Sequence, residues 1–333
     1  VVFCFQWELS HSTNSITFVR FVAFVIDTEV SMEQRRTASC SGDVDDLLEG
    51  LGAMTLAAAP AVHVITSFND DERSMLNKAF VGVAAIALDA EGVDLSRLGK
   101  ISIVQIATPD QCFLLDVLDK EAADPLVVWL GRLLSDQSIV KVVHDCRMDA
   151  DALYHHFNLD LANVHDTSVW HAELYSSPDK NLNDTLSASG LAPNEARDRS
   201  VYRNDPSFWA TRPLTTTMVD WASRDVSSLF SLQQSQLARP CSPSQRRCIE
   251  QTTALFLSWK SADVSVVTVN HPGSFIGRGG SNIRTLQRTT NTLIYNAPAA
   301  TPGYSRSMFM VYYRDPQAFR QVEQKARARN CSY

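Results

Sequence analysis

Two acids stand one residue apart in a hydrophobic stretch of the chain. Asp89 and Glu91 belong to VGVAAIALDAEGVDL, residues 81–95, whose apolar and β-branched residues predict a buried strand that ends at the acids. Because strand side chains alternate, both carboxylates point to the same side, where their charges repel each other. One explanation is a polar strand end that faces water. The other is a cation site, which requires further carboxylates elsewhere in the chain.

Further carboxylates occur in two later segments. In VKVVHDCRMDADAL, residues 140–153, Asp145 follows a predicted strand, and Asp149 and Asp151 open a predicted helix. In VDWASRDVSSL, residues 219–229, Asp225 lies inside a predicted helix among apolar neighbours. Aspartate is unfavourable inside a helix, and a buried acid needs a partner. Asp145 and Asp151 could instead be helix-entry charges, an explanation that applies less strongly to Asp149.

The surrounding pattern predicts the elements that carry these acids. The first predicted strand begins at Val62 and is followed by a helix. Three successive strands come next, as in an antiparallel meander, and then helices and strands alternate. Residues 215–237 predict one long helix, and ARPCSPSQRR, residues 238–247, predicts a linker before another helix. This order predicts an α/β fold with a mixed, partly antiparallel sheet covered by helices.

The order of motifs over residues 62 to 238 resembles the DEDD family of 3′–5′ exonucleases, and most of all ribonuclease D and Egalitarian-like proteins. Besides the segments with acids, the motifs are SIVQIAT, FLLDV, NVHDT and WATRPL. The resemblance implies a ribonuclease H-like mixed sheet with flanking helices. It also implies four catalytic, metal-binding acids, namely Asp89, Glu91, Asp149 and Asp225, with Asp145 as an alternative to Asp149.

The cofactor that the resemblance implies is a pair of Mg²⁺ or Mn²⁺ ions, for which carboxylate oxygens are suitable ligands. Two ions about 3.5 to 4 Å apart stabilise the attacking and leaving oxygens of phosphodiester hydrolysis. Asp89 would bridge both ions, Glu91 and Asp225 would complete one site, and Asp149 would hold the other partly through water. Bound cations would also offset the repulsion between Asp89 and Glu91.

One position departs from the family pattern. Family members carry a Tyr four residues before the last Asp or a His five residues before it, where this chain has Trp221 and Asp220. The indole N–H is only a donor and cannot act as a base. The protein could therefore be a slow exonuclease, use Asp220, or keep the fold for binding alone. His144 and His165 lie near the motifs and are interpreted as structural.

The C-terminal part of the chain has a different charge and a glycine loop. From Lys260 onward there are ten basic and three acidic residues, so this part carries +7 and the remainder −14. Such asymmetry suggests a nucleic-acid-binding module, although a solvated helix face is an alternative for the last bases. The loop, Gly277 to Gly280, is flanked by Ile276 and Ile283, and alone it could be an ordinary turn.

Together with a β-α-α-β-β-α order of predicted elements, this loop resembles the I-G-x-G-G-x-x-I signature of the KH family. A KH loop binds the backbone of about four single-stranded nucleotides. The nucleic-acid-binding residues that this resemblance implies are Ile276, Gly277, Arg278, Gly279, Gly280, Ile283 and Arg284.

Length and composition set the outer limits of these predictions. The 333 residues, with 45% hydrophobic and 20% charged residues, suggest about two domains with an ordinary core. Seven dispersed cysteines fit a reducing compartment, cytoplasm or nucleus, and neither a secretory signal nor a membrane span is predicted. The predicted divisions are a tail over 1–61 with a plausible start at Met32, an exonuclease domain over 62–238, a linker and helix over 239–257, and a KH domain over 258–330.

The sequence therefore predicts a metal-dependent 3′–5′ exonuclease that acts on single-stranded nucleic acid. The expected partner is single-stranded RNA, with single-stranded DNA as the alternative that the sequence leaves open. The alternative is a catalytically weak or inactive RNA-binding adaptor of the Egalitarian type.

Overall fold

The computed structural model describes residues 60–177, 180–194, 201, 205, 207–297, 303, 305 and 307–328. Residues 1–59 of the predicted tail lie outside the described residues. Within the described part, no helix is both long enough and apolar enough to cross a bilayer.

The first module, which we call the six-stranded module, comprises the described residues from 60 to 257. Its strands are β1 Ala61–Ile65, β2 Ala85–Val93, β3 Lys100–Ala107, β4 Gln111–Asp116, β5 Val140–Val143 and β6 Val164–Asp166. Their order in the sheet is β1-β4-β3-β2-β5-β6. The β2–β3 and β3–β4 pairs are antiparallel, and the β1–β4, β2–β5 and β5–β6 pairs are parallel. The predicted mixed sheet and its antiparallel meander are confirmed.

Helices cover both faces of this sheet. They are α1 Asp70–Phe80, α2 Pro125–Ser135, α3 Arg147–Phe157, α4 Thr167–Tyr175, α5 Leu182–Ala188, α6 Thr216–Leu237 and α7 Pro243–Leu257. Side chains on alternate positions of the strands enter two separate cores. Ile86 and Leu88 of β2 belong to a core that includes residues of α1, α2 and α3, whereas Ala87 packs in the core beneath α6. Asp89 and Glu91 have the parity of Ala87, so they lie on the α6 face.

Two boundaries differ from the sequence prediction. Strand β2 does not end at the acids but continues to Val93, because Gly92 and Val93 still pair with β3. Helix α7 begins inside the segment interpreted as a linker, at Pro243, because Ser242 and Gln245 form a capping box. Ile249 and Phe256 of α7 are buried in the core of the six-stranded module.

The second module, which we call the three-stranded module, comprises the described residues from 263 to 328. Its elements are β7 Asp263–Thr268, α8 Pro272–Ile276, α9 Ser281–Thr290, β8 Leu293–Asn296, β9 Met308–Tyr313 and α10 Pro316–Ala328. The strands form an antiparallel sheet in the order β7-β9-β8. Phe309 and Val311 of β9 pack with the helices on one face, and Met310 and Tyr312 point to the opposite face.

That opposite face packs directly against the six-stranded module. Its apolar cluster includes Leu98 and Met148 of the six-stranded module and Trp259 of the connecting turn Ser258–Ser261. The contact therefore extends the hydrophobic core across the junction between the modules.

An ion pair lies at the centre of this junction. Asp151 is completely buried, and its carboxylate accepts hydrogen bonds from Arg97 Nε at 2.9 Å and Arg97 Nη2 at 2.6 Å. Tyr312 of β9 donates its hydroxyl to the same carboxylate at 3.1 Å. Arg97 also donates to the backbone carbonyls of Trp259, Lys260 and Ala262. One arginine thus links a turn of the first module to the chain segment that enters the second.

Candidate metal centre

Strand β2 presents Asp89 and Glu91 beside helix α6. Their backbones pair with Gln105 and Ile103 of β3, and the register shifts in a bulge immediately after Glu91. The register skips Ser102 of β3, and a side chain at Gly92, which pairs with Ile101, would place its Cβ 2.0 Å from the Lys100 carbonyl oxygen. The bulge thus depends on glycine, and it lies directly beside Glu91.

Helix α6 supplies the third carboxylate. Its buried residues Met218, Ala222, Val226 and Leu229 repeat at helical spacing and anchor the helix on the sheet. Asp225 lies at the edge of that stripe, and Asn194 donates a hydrogen bond to its Oδ1 at 3.1 Å.

Carboxylate oxygens of Asp89, Glu91 and Asp225 all lie within 4.8 Å of one another. Three hard oxygen ligands at this separation fit a divalent cation such as Mg²⁺ or Mn²⁺.

Asp149 lies next to this trio without belonging to it. It is in the first turn of α3, is only 6% exposed, and lines the same cavity of about 340 Å³ as the three converging acids. Burial raises its pKa well above the usual value, and the nearby charges of Asp145, Glu91 and Asp166 raise it further. The surroundings of Asp149 therefore disfavour its ionised form. A cation bound nearby would lower its pKa again and favour the carboxylate.

Asp145, the alternative to Asp149, also lines the cavity but has another partner. Arg147 donates to both of its carboxylate oxygens, at 2.5 and 2.6 Å. Its carboxylate is thus partly neutralised within the chain.

A buried acid below the cavity fixes the backbone that carries these residues. Asp166 accepts hydrogen bonds from the backbone amides of Asp145 at 3.0 Å and Cys146 at 2.8 Å, and from the Ser168 amide and hydroxyl. Burial raises the pKa of Asp166, but these hydrogen bonds outweigh burial, so the pKa lies below its usual value. The ionised carboxylate holds the end of β5 and the start of α3 in place.

The remaining residues singled out from the sequence near the motifs have other surroundings. His144 lines the cavity, and its Nδ1 and Nε2 lie 2.9 Å from Thr167 Oγ1 and the Lys180 carbonyl oxygen. His165 Nε2 is 3.0 Å from Gln236 Oε1. Trp221 packs against Phe208, with ring centroids 5.7 Å apart, and is not among the described residues that line the cavity. Asp220 forms an ion pair with Arg224 at 2.9 Å.

Tyr295 is a cavity residue that the sequence analysis missed. It comes from β8 of the three-stranded module, yet it lines the cavity together with the acids. Its ring also contacts Tyr312 edge-on, with centroids 6.0 Å apart. The alternation in LIYN places Leu293 and Tyr295 on one face of β8, but only the packing of the two modules brings that face to the cavity.

The glycine loop adopts backbone conformations that suit glycine. Gly277, Gly279 and Gly280 have φ of 77°, 56° and 78°. A Cβ at Gly279 would meet nothing within 4 Å, and Arg278 beside it is exposed. The flanking Ile276 and Ile283 pack against the core of the three-stranded module. The loop thus presents backbone and one guanidinium to solvent, with the isoleucines beneath.

Comparisons with known proteins match the first module. A family model described as 3′–5′ exonuclease matches residues 64–237. The chain is 30% identical over 166 residues to the piRNA biogenesis protein EXD1 of Mus musculus, which covers 45% of this chain and 28% of that protein. It is 30% identical over 192 residues to the Egalitarian protein homolog of Caenorhabditis elegans, covering 52% of this chain and 32% of that protein. The chain thus spans about a third of the length of these relatives.

A solved structure of ribonuclease D from Trypanosoma brucei superimposes with a TM-score of 0.54 at 24% identity, covering 62% of this chain and 74% of that one. This likeness supports the fold expected from the motifs.

Proposed function

Because the chain belongs to the 3′–5′ exonuclease family, we propose that it is a metal-dependent exonuclease that removes nucleotides from the 3′ end of single-stranded nucleic acid, RNA in particular. The observation that carries this proposal is the convergence of Asp89, Glu91 and Asp225 within 4.8 Å of one another. Asp149 lines the same cavity.

In this proposal the four acids hold two divalent ions. Asp89 would be shared by the two ions, Glu91 and Asp225 would help to hold one of them, and Asp149 would help to hold the other. Bound there, Mg²⁺ or Mn²⁺ would supply an activated water and a brace for the leaving 3′ oxygen. Asp166 keeps the Asp145–Cys146 backbone in place and so supports the helix on which Asp149 lies.

A second candidate function is a nucleic-acid-binding adaptor in which the exonuclease fold only binds. Trp221 favours the adaptor. It occupies the position where family members have a tyrosine, and an indole cannot accept a proton from the attacking water. The acids favour the enzyme, since clustered carboxylates repel one another unless a cation neutralises them, and two-metal hydrolysis requires bound cations.

We also propose that the three-stranded module is a KH domain that binds single-stranded nucleic acid through the exposed glycine loop. The support is its β-α-α-β-β-α order, the positive φ angles of the loop glycines, and the exposed Arg278. Amides that are accessible at glycine positions can approach a phosphate closely.

The test of the nuclease is digestion of a 5′-labelled single-stranded RNA with Mg²⁺, with Mn²⁺, or with a chelator. We expect stepwise shortening from the 3′ end that needs the metal and is lost in Asp89→Asn. The matched control is Asp71→Asn, which removes an exposed carboxylate from the first turn of α1, away from the cavity.

Calorimetry with Mn²⁺ completes the test. Loss of binding in Asp89→Asn but not in Asp71→Asn supports the site, whereas equal Mn²⁺ binding in both variants rules it out. Metal binding without any digestion would favour the adaptor.

A further inference from the structure

A second cavity, which we call the junction groove, lies between the two modules. Its volume is about 530 Å³. Arg147 and Phe256 line it from the six-stranded module, Trp259 from the connecting turn, and Arg284, Arg288 and Asn291 from α9 and the residue that follows it. Both modules are required to form it.

The groove is rich in guanidinium groups. Arg284 and Arg288 lie one turn apart on the exposed side of α9, and neither forms an ion pair with an acid among the described residues. On the opposite wall, the Arg147 guanidinium lies 4.4 Å from the centre of the Phe256 ring. Guanidinium groups bind phosphate with two parallel hydrogen bonds, so these walls are chemically suited to an anionic chain.

The lining of the groove adjoins both sites described above. Arg147 is ion-paired with Asp145, which lines the acidic cavity. Arg284 lies against the glycine loop, since a Cβ at Gly280 would come within 2.8 Å of its Nη1. The groove therefore has residues next to the loop and residues next to the acidic cavity.

We propose that the junction groove binds the phosphate backbone of a single strand that runs from the glycine loop to the acidic cavity. The identity of this occupant rests on the proposed function. Arg284 and Arg288 contact successive phosphates from one side, and the strand then passes the Arg147–Asp145 pair on its way into the cavity. The groove makes the two modules parts of one continuous nucleic-acid surface.

The test measures binding without hydrolysis. Binding of a single-stranded RNA of about 12 nucleotides is followed by fluorescence anisotropy in a chelator, over a series of salt concentrations. The affinity falls as salt rises, and each lost phosphate contact reduces the magnitude of the slope of log K against log salt by about 0.7 for single strands. We expect the double variant Arg284→Gln, Arg288→Gln to lower this slope by about 1.4 and to weaken binding about tenfold at about 0.2 M salt.

The matched control is Arg320→Gln, which removes the same charge from an exposed position of α10 that does not line the groove. All altered side chains are on the protein surface, and the single variant Arg288→Gln, with an expected slope change of about 0.7, provides a milder second measurement. A slope that stays at the wild-type value in the double variant, or that falls equally in Arg320→Gln, overturns the proposal.

Two further outcomes separate this proposal from neighbouring ones. If a poly-glutamate peptide binds and loses affinity in the double variant while RNA binding is unchanged, the groove is a peptide site and the proposal is wrong. If the wild-type protein digests no RNA but the slope falls as expected, the groove is supported and the exonuclease fails. Metal-dependent digestion with an unchanged slope supports the exonuclease and overturns the groove.

Discussion

Tyr295 is the residue whose position matters most for how the acidic cavity could hold a substrate. The cavity is lined by carboxylates and by Leu182 and Leu229, and Tyr295 adds an aromatic ring from the other module. A base at the 3′ end of a strand can stack on such a ring, and base–aromatic stacking is worth about 1–3 kcal/mol. Tyr295 is therefore expected to position the terminal nucleotide.

Two replacements of Tyr295 distinguish the contribution of its ring from that of its hydroxyl. We expect Tyr295→Ala to lower kcat/KM for RNA by about 5- to 100-fold, the equivalent of one lost stacking contact, and Tyr295→Phe to keep wild-type activity. The measurement is single-turnover digestion, with thermal unfolding as a control because Tyr295 also contacts Tyr312. A Phe variant as slow as the Ala variant would show that the hydroxyl is required instead.

The acids could be singled out from the sequence because their residue types and the order of the motifs are visible in it. The structure brings Asp89, Glu91 and Asp225 together, and Asp149 lines the same cavity, while their catalytic role stays a prediction. Tyr295 was not predictable, because nothing in its own segment indicates which surface that face of β8 will meet.

Helices and strands were predicted correctly where the hydrophobic periodicity was long. The errors concern the residues at which two elements begin or end. The strand around Asp89 was expected to end at a charge, yet antiparallel pairing carried it to Val93. The segment before α7 was interpreted as a linker because of its prolines and serines. Its Ser242-Pro243-Ser244-Gln245 sequence is nonetheless a capping box with proline at the first helical position, a signal that was present but outweighed.

The ion pair between Arg97 and Asp151 is the element-scale feature that joins the modules. Breaking a buried pair by removing one partner costs about 3–5 kcal/mol, because the other charge is left uncompensated. We expect Asp151→Asn to lower the free energy of unfolding by an amount of this order, measured in urea. Replacing both partners, as Arg97→Met with Asp151→Leu, removes the uncompensated charge but also removes the partners of the Tyr312 hydroxyl and of three backbone carbonyls, so only part of the loss is expected to be recovered. Coincident unfolding curves for Asp151→Asn and wild type would mean that the pair contributes little.

At the scale of the whole molecule, charge is distributed between the two modules. The excess of acids and the excess of bases meet at the junction, where the acidic cavity and the junction groove share the Asp145–Arg147 pair. The sequence predicted the division of charge but not the docking, because the docking depends on long-range contacts such as Tyr312 with Asp151.

The glycine loop offers a test in which shape is held constant. We expect Gly279→Asp to weaken binding of single-stranded RNA, because a carboxylate would face the phosphates. Gly279→Asn has nearly the same shape, tolerates a positive φ, and lacks the charge. Filter binding of both variants separates charge from shape. Equal affinity of the Asp variant and wild type would contradict the proposed role of the loop.

The linkage of Arg97 to three carbonyls before β7 also bears on how far digestion could proceed. A freely swinging tether would let the loop hold strands at many distances from the acids, and shortening would slow gradually. Here the hydrogen bonds of Arg97 hold the loop and the acids at one spacing, so the proposed exonuclease would stop at a strand length that this spacing sets. A strand that is too short to reach from the acidic cavity to the glycine loop no longer binds the loop. Digestion products of one uniform length should therefore accumulate, which a sequencing gel would show. A smooth ladder down to mononucleotides would show that the spacing sets no such length.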